Sequence, residues 1–103
     1  MIYIKIHDTE NGDIVAMCDS DLIDKVLVDG ELEINIKRYS DFYKGTLVDK
    51  EKASGMIRPE RLYSASVIGK DSVDAAMKGN IIHIDSVKKV KGVPYANSFR
   101  IKY

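Results

Sequence analysis

The residues of this chain whose types suit covalent or metal chemistry are few, and their spacing decides against most of it. Cys18 would need a histidine and an orienting acid beside it, because the thiolate is the reactive form of sulfur. His7 and His83 are the two imidazoles present. His7 follows an alternating apolar stretch and His83 interrupts Ile81, Ile82 and Ile84, so a structural role is expected for each. A lone thiol makes no internal disulfide, and inert packing is the expectation for Cys18. Asp19, Asp21 and Asp24 crowd oxygen ligands together, but the central glycine and terminal bidentate acid of a calcium loop are missing. Helix capping is the expected use of these acids, and no metal or cofactor is expected.

Two other groupings suit binding rather than catalysis. Gly69 and Lys70 precede Asp71 where a strand is expected to pass into a helix, and the free N–H groups of a helix start hold phosphate with help from a lysine. No spaced-glycine dinucleotide fingerprint or Walker loop accompanies them, so an ordinary turn and cap is the simpler reading. The aromatic turn Phe42-Tyr43-Lys44-Gly45, and later Tyr95 with Phe99, place rings near cations, a combination that stacks on unpaired RNA bases. The same rings also suit core or turn packing.

Charge is unevenly distributed. The 103 residues carry 16 acids and 16 bases, for a formal net charge of zero. Residues 1–33 hold nine acids against Lys5 and Lys25, so the remainder carries seven acids and fourteen bases. Beyond Asp85 there is no acid, while Lys88, Lys89, Lys91, Arg100 and Lys102 follow. If folding gathers these cations, the resulting basic surface attracts phosphate backbones or an acidic protein partner in a salt-sensitive way. If folding interleaves them with acids, the surface is simply well solvated.

The elements that must position these residues follow from periodicity. Ile2, Ile4 and Ile6 alternate with polar neighbours as in a half-buried strand, and Glu10-Asn11-Gly12-Asp13 turns the chain into a hairpin whose second arm is Ile14 to Met17. Asp19 or Ser20 is expected to cap a short helix through Leu22, Ile23 and Val26, with a strand at Leu32 to Ile36. A turn is expected at Asp41 to Gly45, a short strand at Thr46 to Val48, and a helix from Asp49 to about Gly55, stopped before Pro59. Leu62 to Ile68 reads as a strand. Asp71 is expected to cap a helix carrying Val73, Ala76 and Met77 on one side, stopped at Gly79-Asn80. Ile81 to Ile84 and Val87 to Val90 read as extended, with a last strand at Ser98 to Tyr103 after a Gly92-Val93-Pro94 turn. The fold class is α+β: a single domain over 1–103, with a small mixed or antiparallel sheet opened by a β-hairpin and two or three short helices packed against it.

Three blocks in this order, Phe42-Tyr43-Lys44-Gly45, Val67-Ile68-Gly69-Lys70 and Gly92-Val93-Pro94-Tyr95-Ala96-Asn97, together with the Cys18-Asp19 passage, resemble the small archaeal proteins grouped as the DUF424 family. The resemblance runs nearly end to end. It implies an archaeal, cytoplasmic, compact mixed α/β protein, and it brings no established catalytic residues. The amino terminus has no basic leader followed by an apolar run, so export and membrane insertion are not expected.

The leading expectation is a non-enzymatic interaction module that binds RNA or a translation-related partner through Lys88, Lys89, Lys91, Tyr95, Arg100 and Lys102. The alternatives are a small enzyme that takes a phosphorylated substrate near Gly69, Lys70 and Tyr43, and a protein-binding or self-associating module.

Overall fold

A computed structural model describes residues 1–99. Strands β1 (Ile2–Thr9) and β2 (Gly12–Asp19) form the expected antiparallel hairpin, with Ile2 facing Asp19 and Thr9 facing Gly12. Gly12 supplies a φ of 127° at the turn, and the Thr9 hydroxyl donates to the Gly12 carbonyl at 2.7 Å. β2 then pairs in parallel with β6 (Leu62–Ile68), which makes the sheet mixed. Six strands lie in the order β5, β1, β2, β6, β8, β7, where β5 is Thr46–Val48, β7 Lys88–Val90 and β8 Val93–Phe99. A separate two-stranded hairpin joins β3 (Val26–Asp29) to β4 (Leu32–Asn35). The α+β class holds.

One face of the sheet is covered by helices α2 (Lys50–Met56) and α3 (Lys70–Lys78). Their Ala53, Val73, Ala75 and Ala76 are buried against Ile2, Ile4, Val15, Met17, Ala65 and Val67, so the small helix residues let the backbone settle closely on branched strand residues. Asp49 caps α2 as expected, its carboxylate accepting from the Lys52 N–H at 2.8 Å. Asp13, 1% exposed, takes Arg58 at 3.0 Å and Arg61 at 3.4 Å, which ties the loop after α2 to the start of β2. A buried carboxylate is tolerable only with such partners.

The opposite face packs Ala16, Cys18 and Ile68 beneath Leu22, Ile36 and Tyr43. Its cover is the β3–β4 hairpin and the single-turn helix α1 (Ser40–Tyr43).

Several sequence expectations are corrected. The helix expected from Asp19 or Ser20 to Val26 shrinks to one 3-10 turn, Ser20–Leu22, after which Val26 enters β3. β-branched Val26 and Val28 suit a strand, and Gly30 with a φ of 63° turns β3 into β4. The Asp41 to Gly45 stretch is helical through Tyr43 rather than a plain turn. Ile81 and Ile82 are not extended; they drop into the core below α3, with the Ile81 N–H bonded to the Ala76 carbonyl. The final turn is Lys91-Gly92, both at positive φ, so Val93 and Pro94 already belong to β8. Residues 100–103 of the expected last strand lie outside the described residues.

Candidate binding groove

The start of α3 shows where the Asp19 carboxylate goes. It accepts from the Asp71 N–H at 3.2 Å, the Ser72 N–H at 2.8 Å and the Ser72 hydroxyl at 2.8 Å. The helix is therefore capped by a residue distant in the chain, with Gly69 at the N-cap position and Asp71 inside the first turn. Gly69 is required there twice over: its φ is 107°, and a Cβ would run into the Asp19 carboxylate. The helix-start amides of Asp71 and Ser72 already hold this anion and the Gly69 N–H donates to the Pro94 carbonyl at 2.8 Å, while the Lys70 side chain stays exposed. Asp19, Asp21 and Asp24 do not converge, and among the described residues no three acids, histidines or cysteines are grouped to hold a metal.

Cys18 is fully buried and its thiol donates to the Asp19 carbonyl at 3.4 Å. Burial, reinforced by Asp19, Asp21 and Asp24, pushes the thiol up to about 12, so it stays protonated and unreactive at neutral pH. His7 meets the Phe42 carbonyl at 3.1 Å and its ring stacks on Phe42 at 5.0 Å, 9° from parallel. His83 is exposed and turned to its neighbour Asp85 at 3.3 Å. Neither imidazole approaches Cys18 in any of these contacts.

The aromatic block divides its tasks. Phe42 is spent on His7 and on an edge contact with Tyr43 at 5.1 Å. Tyr43 is buried, and its hydroxyl meets the Ser66 hydroxyl at 2.8 Å. Burial raises the Tyr43 phenol above its ordinary value despite the opposing pull of that hydrogen bond, so it is a neutral donor or acceptor. Lys44 is exposed, and Gly45 passes so close to the Ile4 carbonyl that no Cβ would fit.

Above the Tyr43–Ser66 pair, the hairpin does not close fully on the sheet. A groove of about 250 Å³ remains, with Ile34, Ile36 and Ile68 as apolar wall and Tyr39, Tyr95 and Asn97 around its rim. Glu33 and Asn35 of β4 also reach it. The Asn35 side-chain oxygen accepts from the Arg38 N–H at 2.9 Å, which leaves its amino group to donate. Tyr95 and Asn97 also line a neighbouring hollow of about 310 Å³, shared with Ser86 and Lys88. The two concavities share Tyr95 and Asn97 of β8, whose outer edge is paired with β7 from Val93 to Tyr95 among the described residues.

The basic residues lie on that edge. Lys88 stands across the ladder from Tyr95 and Lys89 from Pro94, so adjacent lysines alternate between the two sheet faces. Lys91 follows in the turn, its N–H donating to Asp29 at 3.1 Å. All three side chains are exposed, and among the described residues none of their ammonium groups forms an ion pair. The cations form an edge strip, with Lys88 on the groove side. Arg100 and Lys102 lie outside the described residues.

Ser66, Asn97, Asn35 and Glu33 escaped sequence reasoning. One signal was available: Ser64 and Ser66 put a period-two polar stripe into an otherwise apolar strand. Nothing local links that stripe to Glu33 and Asn35, which reach it only through tertiary folding.

A mixed sheet with helices on one face and a grooved, hairpin-flanked surface on the other defines a small α+β protein. The chain belongs to the DUF424 family, described as "Protein of unknown function", whose model matches residues 6–101. Its fold is shared by the crystal structure of an uncharacterized conserved protein from the archaeon Methanopyrus kandleri, with a TM-score of 0.78 and 20% identity over 99% of this chain and 96% of that one. No curated protein matches. Among the described residues no helix is long and apolar enough to cross a membrane.

Proposed function

We propose that this protein is a non-catalytic, cytoplasmic binding module for single-stranded RNA, which it holds along the β7 edge and the adjoining Tyr95 end of β8. The observation that carries the reading is the strip of exposed Lys88, Lys89 and Lys91, whose ammonium groups form no ion pair among the described residues, beside a groove that offers an aromatic ring and neutral hydrogen-bonding groups. Cations on a strand edge engage phosphates, and an adjacent ring and concave polar surface receive the unstacked bases. Sequence-independent affinity then comes from the lysines and is sensitive to salt.

Binding of a short mixed-sequence single-stranded oligoribonucleotide, followed by fluorescence anisotropy across a salt series, tests this. Three neutralised phosphates give a slope of about −2 in log K against log salt. The Lys88→Ala, Lys89→Ala double variant lowers affinity and flattens that slope. Failure to bind, or tight binding indifferent to salt and to the double variant, overturns the proposal.

A further inference from the structure

We infer that the bound strand runs along the groove face of β8 and stacks a second base on Phe99, so that Tyr95 and Phe99 act as two platforms with Asn97 between them; the inference rests on the RNA reading above. The register fixes the geometry. Ile68, Ser66 and Ser64 of β6 stand opposite Tyr95, Asn97 and Phe99 of β8. Ser66 lines the groove and meets Tyr43 there, whereas Ala96 is buried in the core beneath the helices. Tyr95, Asn97 and Phe99 therefore share the groove face of the sheet.

Phe99 is 72% exposed, the largest fraction of any large apolar side chain among the described residues. Tyr63 steadies its ring by an edge contact with centroids 5.7 Å apart. A ring spent on packing is covered by its neighbours. This one is oriented by a neighbour and left open, as a stacking surface requires. Asn97, also exposed, lines the groove, the hollow beside Lys88 and a third hollow of about 450 Å³ that it shares with Ser98. Open surface thus adjoins the residue between the two rings, and beyond Tyr95 no strand flanks the outer edge of β8 among the described residues.

Spacing and polarity decide what fits. Four residues of antiparallel strand separate the two positions by about 13 Å, too far for one base to touch both rings. A chain of nucleotides spans that distance, and a free nucleotide does not. Ser64, Ser66 and Asn97 on this face carry no charge, and their hydroxyls and amide offer donors and acceptors to the edges of bases. An apolar protein patch seated on Phe99 would cover these groups and leave them without partners, which is costly.

The test uses a single-stranded octauridylate followed by anisotropy. Phe99→Ala is expected to weaken binding at least about fivefold, the lower end of what one stacked base contributes. The salt slope stays at the wild-type value, because no charge is removed. Phe99→Tyr keeps the affinity and Phe99→Leu does not, since stacking needs the ring and not its bulk. Because the side chain is exposed, all three variants are expected to keep the wild-type thermal melt. The chain has no tryptophan, so Phe99→Trp places a single indole at the site. Its emission is expected to be quenched by the octamer over the same concentrations as the anisotropy rises, with Lys88→Ala shifting both curves together.

Wild-type affinity in Phe99→Ala or Phe99→Leu, with the salt slope intact, overturns the second platform and leaves the RNA reading in place. An indole whose emission ignores bound RNA overturns it in the same way. A wild-type dimer that Phe99→Ala turns into a monomer in sedimentation assigns the ring to a second copy of the chain and also overturns it. Absence of any binding by the wild-type chain overturns this inference and the RNA reading together.

Discussion

The two faces of the sheet are built from the same strands but covered in different ways. On the helix side, aliphatic residues interlock with the alanines of α2 and α3, and Ile4, Val15, Met17 and Val67 are at most 1% exposed. On the other side, a two-stranded hairpin and one helical turn cover Ala16, Cys18 and Ile68 and leave Ser66, Tyr95 and Asn97 around a groove. A short cover cannot bury a whole sheet face, since it presents too little apolar surface of its own. The contrast separates a face closed by aliphatic packing from one that retains open polar groups.

That separation fails if the hairpin side proves as costly to disturb as the helix side. Ile4→Ala removes a fully buried side chain from the centre of β1 and is expected to lower stability by about 2–5 kcal/mol. Ile34→Ala in β4 costs less, because that side chain is only half-buried and its loss widens an existing groove instead of opening a closed cavity. Urea midpoints of the two variants at equal m give the comparison. Equal losses would mean that the hairpin belongs to one continuous core.

Asp19 ties the end of β2 to the start of α3, and its removal is the next largest effect. Asp19→Ala leaves the Asp71 and Ser72 amides and the buried Ser72 hydroxyl without their acceptor. The loss combines a helix cap with a buried unsatisfied group, for about 2–3 kcal/mol in urea denaturation. A loss below about half a kcal/mol would mean that water replaces the carboxylate at no cost. Asp19→Asn retains one acceptor oxygen and is expected to fall between the wild type and the alanine variant.

Much of the frame is legible along the chain. The alternation of Ile2, Ile4 and Ile6 and the Asn11-Gly12 turn specify the opening hairpin, and Asp49 caps its own helix as its position suggests. The errors have a common origin in partners remote in sequence. Its place in the chain points Asp19 at the helix it precedes, yet its acceptors serve α3, fifty-two and fifty-three positions later. Ile81 and Ile82 resemble a strand by composition and instead plug the core. The groove is invisible for the same reason: Glu33 and Asn35 on one hairpin line it together with Ser66 and Asn97 on two sheet strands, and no window of sequence contains both sets.

Cys18 allows the hairpin-covered face to be probed by pH. Its thiol is pushed from an ordinary value of 9.0 up to about 12 in the folded chain, first by burial and then by Asp19. Below pH 9 both states keep the proton and stability is unaffected. Between pH 9 and about 12 the unfolded chain releases a proton that the folded chain retains, so stability falls, by at most about 1.4 kcal/mol for each pH unit from this group. The raised Tyr43 phenol adds to the fall in the same direction at higher pH. Urea midpoints measured upward from pH 8 should decline more steeply in the wild type than in Cys18→Ala. Equal slopes would mean that solvent reaches the thiol and that the hairpin seals this face poorly.

The smallest effect concerns the floor of the groove. Tyr43→Phe removes one hydroxyl from a ring that stays packed against Phe42, so the apolar contribution of Tyr43 is kept and only its bond to Ser66 is lost. A single neutral hydrogen bond contributes about 0.5–1.5 kcal/mol, while an orphaned buried partner costs about 1–3 kcal/mol. Ser66 is half-buried and lines the open groove, so water can take the place of the phenol and the loss should stay near half a kcal/mol. Ser66→Ala should lose about as much, and the double variant little more than either alone, since each change breaks the same bond. A Tyr43→Phe loss near 2 kcal/mol would instead place Ser66 in a dry interior. The two faces would then differ in residue type but not in access to solvent, and the groove would have no room for a ligand at its floor.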